Sequence, residues 1–177
     1  SKHTRARRHF RKAIKTARRK KSLVAEPQLT LSQTGRLDRG QIHIEVLFPP
    51  PELAAAGPSG EGDDGELITP NSMSAAIRLV RDSVPLVLLA GDIERGCLQF
   101  WRDENTDPRT NILVFPHHGG EPGNADPVEF AEELCACVRP KVVVFSIHRS
   151  QYDLPIPDVV RAVRKSSAGT RVACTQL

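Results

Sequence analysis

Beyond residue 75 this chain alternates short apolar runs with amphipathic stretches, and that alternation restricts its fold more than any other feature. Residues 75–80 and 84–90 read as two strands joined by the polar turn Arg81-Asp82-Ser83. Residues 93–102 read as a short helix with Leu98, Phe100 and Trp101 as its apolar content, and 111–115 as the next strand. Pro127–Val138 reads as a helix, with Asp126 as N-cap, Pro127 in the first position and a stripe of Phe130, Leu134, Cys137 and Val138. A strand over 141–147, a helix over 157–165 and a last strand over 171–175 follow. Strands that are apolar on both faces and alternate with helices predict an α/β (α+β) fold in which helices cover a sheet.

Upstream the pattern loosens. Residues 41–48 alternate apolar and polar before turning apolar, which predicts a strand, and Pro49-Pro50-Pro51 ends it. His43, between Ile42 and Ile44, is expected to face solvent. Residues 54–66, rich in Ala, Gly, Ser, Asp and Glu, read as an exposed mobile loop. Residues 4–21 read as a helix with an apolar stripe of Ala6, Phe10, Ala13, Ile14 and Ala17. The organisation expected is a basic helix and connection over 1–40 and one domain over 41–177.

The charge is as uneven as the pattern. Residues 1–21 hold 11 of the 25 Lys and Arg and no acid; the rest of the chain keeps 14 against 21 acidic residues, a balance of −7. Arg7, Arg8, Arg11, Lys15, Arg18 and Arg19 are therefore candidate contacts to a nucleic-acid backbone. The competing reading is a solvated surface helix, since no base-reading motif accompanies the charges. A chain of 177 residues can bury one sizeable core. No apolar run approaches the roughly 18–20 residues that span a bilayer, and no apolar segment follows the basic N-terminus as in a secretory signal. Cys97, Cys135, Cys137 and Cys174 form no CxxC pair, so reduced thiols in a cytoplasmic protein are expected.

Chemistry concentrates in two short motifs. Leu88-Leu89-Ala90-Gly91-Asp92 brings a carboxylate to the end of an apolar run, where α/β proteins bind ligands. Val114-Phe115-Pro116-His117-His118-Gly119-Gly120 does the same with imidazoles. Asp92 alone is equally well read as the cap of the following helix. Together, Asp92, His117 and His118 point to a metal site, with one imidazole as ligand and the other orienting substrate or supporting the first. Gly119 and Gly120 would let the backbone turn and approach a ligand. Asn71, Ser72 and Ser74 precede the strand leading to Asp92; His148 and Tyr152 follow a parallel strand, and all five are candidate substrate contacts. For Ser72 and Ser74 the competing role is ordinary turn hydrogen bonding.

In this order, Asn71-Ser72-Met73-Ser74, the Gly91-Asp92 run, Phe115-Pro116-His117-His118-Gly119-Gly120, the strand from Arg139 to Ser146 and Ala173-Cys174-Thr175 resemble the C-terminal half of a metallo-β-lactamase-fold hydrolase. The nearest branch is the hydrolase domain of the ComEC-type competence proteins and its stand-alone relatives, over about residue 40 to the end. The resemblance implies an αββα sandwich, two mixed sheets with helices outside. It implies a two-metal site, zinc with manganese as an alternative, in which Asp92 bridges the metals and His117, rather than His118, is the later ligand. It implies hydrolysis of a phosphodiester in DNA or a nucleotide.

Two departures accompany it. The family's His-x-His-x-Asp-His loop is absent, and His3, His9 and His43 do not replace it. The chain, which starts at Ser1, is therefore expected to be the C-terminal part of the fold, inactive unless another segment or chain completes it, and prone to self-association. Where the competence branch carries Asn-x-Tyr-x-His-Pro, this chain has Ser150-Gln151-Tyr152-Asp153-Leu154-Pro155, with leucine for the histidine. The alternative function is a nucleic-acid- or partner-binding module that keeps the fold without catalysis.

Overall fold

In a computed structural model, which describes residues 16, 19, 29–58, 68–147, 153–166 and 169–175, the chain forms one six-stranded mixed sheet with its helices. The strands are β1 (Ile42–Phe48), β2 (Ala76–Arg81), β3 (Val84–Leu89), β4 (Ile112–Val114), β5 (Val142–Phe145) and β6 (Arg171–Cys174), and they lie side by side in chain order. The first three pair antiparallel, and β3 through β6 run parallel. Among the described residues the α-helices are α1 (Pro51–Ala56), α2 (Arg95–Asp103), α3 (Pro127–Val138) and α4 (Pro157–Ser166). None is long and apolar enough to cross a membrane.

The parallel half follows from its connections. Each parallel step needs a crossover, and each is made by a helix: α2 between β3 and β4, α3 between β4 and β5, α4 between β5 and β6. Right-handed crossovers that advance in one direction set all three helices on one face of the sheet. Leu88, Leu113 and Val143, paired in register across β3, β4 and β5, point into that layer and are fully buried. They pack with Leu98 and Trp101 of α2, Phe130 and Leu134 of α3, and Val159 and Val163 of α4. The Trp101 indole N–H donates to the Leu47 carbonyl at 2.9 Å, tying α2 to β1.

The other face is different. Ile77, Leu79, Val87, Leu89, Ile112, Val114, Val142 and Val144 alternate with the core residues, and none of them is buried; Leu89 is 38% exposed. The expectation of a helix-covered sheet is met on one face.

Element boundaries differ from the sequence reading in instructive places. The proline run after β1 stops the strand but also starts α1: Pro51 occupies a first-turn position and Glu52 sits in the first turn. Residues 54–56, expected in a mobile loop, are thus helical. Helix α2 begins two residues later than expected, so its N-cap is Glu94 and the capping role open to Asp92 is not the one it takes. Helix α3 has the expected limits, with Asp126 accepting from the N–H groups of Val128 and Glu129. Of the basic segment 4–21, Thr16 and Arg19 are described; both are helical, and Arg19 is exposed. Arg7, Arg8, Arg11, Lys15 and Arg18 lie outside the described residues.

Candidate hydrolytic site at the tips of β3 and β4

Asp92 stands at the C-terminal tip of β3 because the chain turns sharply after the strand. Ala90 is fully buried, and Gly91 takes a left-handed conformation with φ +58°. A side chain there would meet the Ser74 hydroxyl at 2.6 Å and the Ala75 carbonyl at 3.2 Å, so glycine is required on both counts. The Ser74 hydroxyl accepts the Asp92 backbone N–H at 2.8 Å. Ser74 therefore positions the Asp92 backbone. Ser72 is occupied locally, its hydroxyl donating to the Thr69 carbonyl and accepting from the Thr69 N–H. Asn71 closes the same turn through its carbonyl, which accepts from the Ser74 N–H at 2.8 Å.

The histidine loop leaves β4 through a turn over Pro116–Gly119 in which His117, His118 and Gly119 are all left-handed, with φ of 50°, 57° and 84°. Non-glycine residues rarely adopt this region, and two in succession store strain that tertiary contacts must offset. Those contacts are on both imidazoles. His117 Nε2 lies 3.1 Å from the Ile93 carbonyl, and His118 Nδ1 lies against the Ser146 carbonyl. A carbonyl only accepts, so each of these nitrogens carries the proton. In the neutral rings, His117 Nδ1 and His118 Nε2 keep their lone pairs. Backbone carbonyls that fix a tautomer in this way commonly support metal-binding histidines.

Gly119 and Gly120 are both hemmed in by packing. A side chain on Gly119 would stand 2.4 Å from Pro155 Cβ and 2.7 Å from the Phe145 ring, while the Gly119 carbonyl accepts from Ile156 N–H at 2.9 Å. A Cβ added at Gly120 would stand 3.1 Å from the His117 carbonyl and 3.2 Å from the Leu154 side chain, a looser fit. These contacts dock the histidine loop onto the segment entering α4.

The sequence reading missed Glu94. Though it is the N-cap of α2, its side chain makes no capping bond. It turns instead toward Gly123, where an added Cβ would fall 2.9 Å from its carboxylate. Burial raises the Glu94 pKa, and nearby His117 opposes that shift. The signal was the second carboxylate of Gly91-Asp92-Ile93-Glu94, two residues past the one singled out. His148 and Tyr152 lie outside the described residues.

The structure thus brings Asp92, His117 and Glu94 to adjacent strand tips and sets His118 beside β5. Among the described residues no three His, Cys, Asp or Glu are disposed to hold a metal ion. Catalytic zinc generally has three protein ligands, so the described donors do not make a complete centre. Comparison with protein-family models and with curated proteins finds no match.

Proposed function

We propose that this chain is the C-terminal part of a divalent-metal hydrolase of the metallo-β-lactamase fold, acting on a phosphodiester in DNA or a nucleotide. The observation that carries the reading is the bond from His117 to the Ile93 carbonyl, next to Asp92. It holds an imidazole with a free nitrogen against the backbone of the residue that follows Asp92, at the end of the strands where parallel sheets bind ligands. The half-exposed apolar face supports the same reading, since the sandwich would bury it under a second sheet. Zinc or manganese, when bound by such a centre, lowers the pKa of water toward neutrality and supplies the nucleophile. Asp92 and one histidine fall short of a full ligand set, so the remaining ligands come from an upstream segment or another chain, and this chain by itself is inactive.

Metal content per chain tests the proposal, measured on this chain and on one extended upstream in its reading frame. Near-stoichiometric zinc or manganese in the extended form, lost in Asp92→Ala together with phosphodiesterase activity, is the expected result. Absence of metal from both forms would replace it with a binding module that keeps the fold, in which Asp92 and His117 are structural.

A further inference from the structure

Charge in this molecule is sorted along the strand direction. Strands β3 to β6 run parallel and β1 runs with them, so all five start at one end of the sheet. The finishing end carries Asp92, Glu94, Glu121, Asp126, Asp153 and Asp158, around the candidate hydrolytic site. The starting end holds the acids Asp82, Asp103, Glu104 and Asp107, but cations outnumber them there and gather at β5 and β6. Arg139 and Lys141 lead into β5, and Arg171 opens β6, its N–H donating to the Lys141 carbonyl at 2.9 Å. Arg164 and Lys165 occupy the last turn of α4, which precedes β6. All five are exposed, and none has a carboxylate partner among the described residues.

The patch continues into a hollow of about 440 Å³ between the C-terminal ends of α2 and α3, lined by Trp101, Arg102, Asn105, Arg109, Cys137 and Arg139. Two of its arginines are satisfied, Arg109 by Asp107 and Arg102 by Glu133. Arg139 is not, and it holds a left-handed helix cap, φ 50°, where glycine is the usual residue.

Helix dipoles account for Arg164 and Lys165, since cations favour helix C-termini. They do not account for Lys141 and Arg171, which lead strands. Nor does overall composition, because the chain beyond residue 21 is net negative. Unpaired cations held side by side repel one another, and an anionic partner turns that repulsion into attraction. We propose that this end of the sheet is a binding surface for a nucleic-acid backbone, with Arg139, Lys141 and Arg171 as its central phosphate contacts. Guanidinium forks suit phosphate oxygens, and the hollow beside Arg139 gives the backbone a concave seat. A membrane-surface anchor would need apolar side chains beside the cations. Of the exposed large apolar residues, Leu89 lies at the finishing end of β3, and Val84, at its start, is a single side chain two strands from β5. This binding uses neither Asp92 nor a metal, so it stands or falls apart from the hydrolytic reading.

The test uses the full chain with Arg7, Arg8, Arg11, Lys15, Arg18 and Arg19 all changed to Gln, which cuts the competing basic segment from 11 cations to five. Fluorescence anisotropy with a labelled DNA duplex of about 20 base pairs, in EDTA, is followed across a salt series. This chain is expected to bind. Adding Arg139→Gln, Lys141→Gln and Arg171→Gln should weaken binding at least about tenfold and flatten the slope of log K against log[salt] by about 2 to 3. The charge-preserving Arg139→Lys, Lys141→Arg, Arg171→Lys chain should retain binding, which excludes misfolding as the cause. Three results would each overturn the proposal: no binding by the six-Gln chain, an unchanged affinity and slope in the triple Gln variant, or competition by phosphatidylserine vesicles that matches competition by unlabelled duplex.

Discussion

The Ser74 hydroxyl accepts the backbone N–H of Asp92 at 2.8 Å, and the same oxygen closes the space that a side chain on Gly91 would need. One hydroxyl therefore both aims the Asp92 backbone and forbids a substitution beside it. Ser74→Ala should cost about 1–2 kcal/mol by leaving the Asp92 N–H unpaired. Gly91→Ala should cost more, because a left-handed alanine adds about 1–2 kcal/mol to the steric clash. In the double variant the clash with the hydroxyl is gone, so the two losses should sum to more than the observed total. Urea denaturation of the four chains measures this, and strict additivity would show that the two positions do not meet as described.

Two left-handed glycines make an internal comparison. Gly119 has φ +84° and would drive a Cβ into Pro155 and the Phe145 ring, whereas Gly169 has φ +96° and open space around it. Gly169→Ala should cost about 1–2 kcal/mol from backbone conformation alone. Gly119→Ala should add overpacking of about 1–3 kcal/mol or more to the same conformational cost. Equal melting temperatures for the two variants would contradict the tight docking of the histidine loop on Pro155.

The edge of the sheet at β1 carries a pH-sensitive pair. Its hydrogen bond with Asp38, at 2.7 Å, raises the His43 pKa above its usual 6.5, against a small opposing effect of desolvation. The same bond, with the Ile44 N–H, lowers Asp38 below 3.8. The sign differs for the two groups. His43 contributes stability that is complete below about pH 6.5 and lost as pH rises through its folded pKa, while Asp38 contributes above about pH 3.8 and loses that contribution as pH falls. Asp107, held down to about 2 chiefly by the Arg109 side chain, adds to the acid limb. Melting temperature should therefore decline from pH 6 to pH 8, and Asp38→Asn should flatten that decline. An unaltered slope in Asp38→Asn would place the pH dependence elsewhere.

The outer face of the sheet sets the solution behaviour. Apolar side chains on β2 to β5 remain half-exposed there, Leu89 most of all. A contiguous surface of this kind associates with copies of itself or with a layer that covers it. Sedimentation velocity should show concentration-dependent self-association, reduced in Leu89→Lys/Val114→Lys. A stable monomer at all concentrations would count against the need for a second layer.

Much of this architecture was legible from local chemistry. Asp126 and Pro127 marked the start of α3 because a capping carboxylate and a residue with preset φ both act within one turn. The parallel strands were legible because they are apolar along their whole length, although helices cover only one of their faces. The limits of α1 and α2 were not, because Pro51 stops a strand and starts a helix equally well, and Asp92 is the better capping residue although α2 starts after Glu94. The Asp92 N–H is instead taken by Ser74, 18 residues earlier, a separation that no periodicity reports.

The sequence by itself determined the elements, their order and the two motifs at the tips of β3 and β4, since helical and strand periods and turn residues act over a few positions. Tertiary structure decided what those motifs can do. The carbonyls of Ile93 and Ser146 choose the protonated nitrogen of each histidine, Pro155 and Phe145 explain Gly119, and the parallel register gathers Arg139, Lys141 and Arg171 at the end opposite Asp92 and Glu94. Hydrogen-bond direction, steric exclusion and electrostatic field depend on distances through space, and only the folded chain sets those distances.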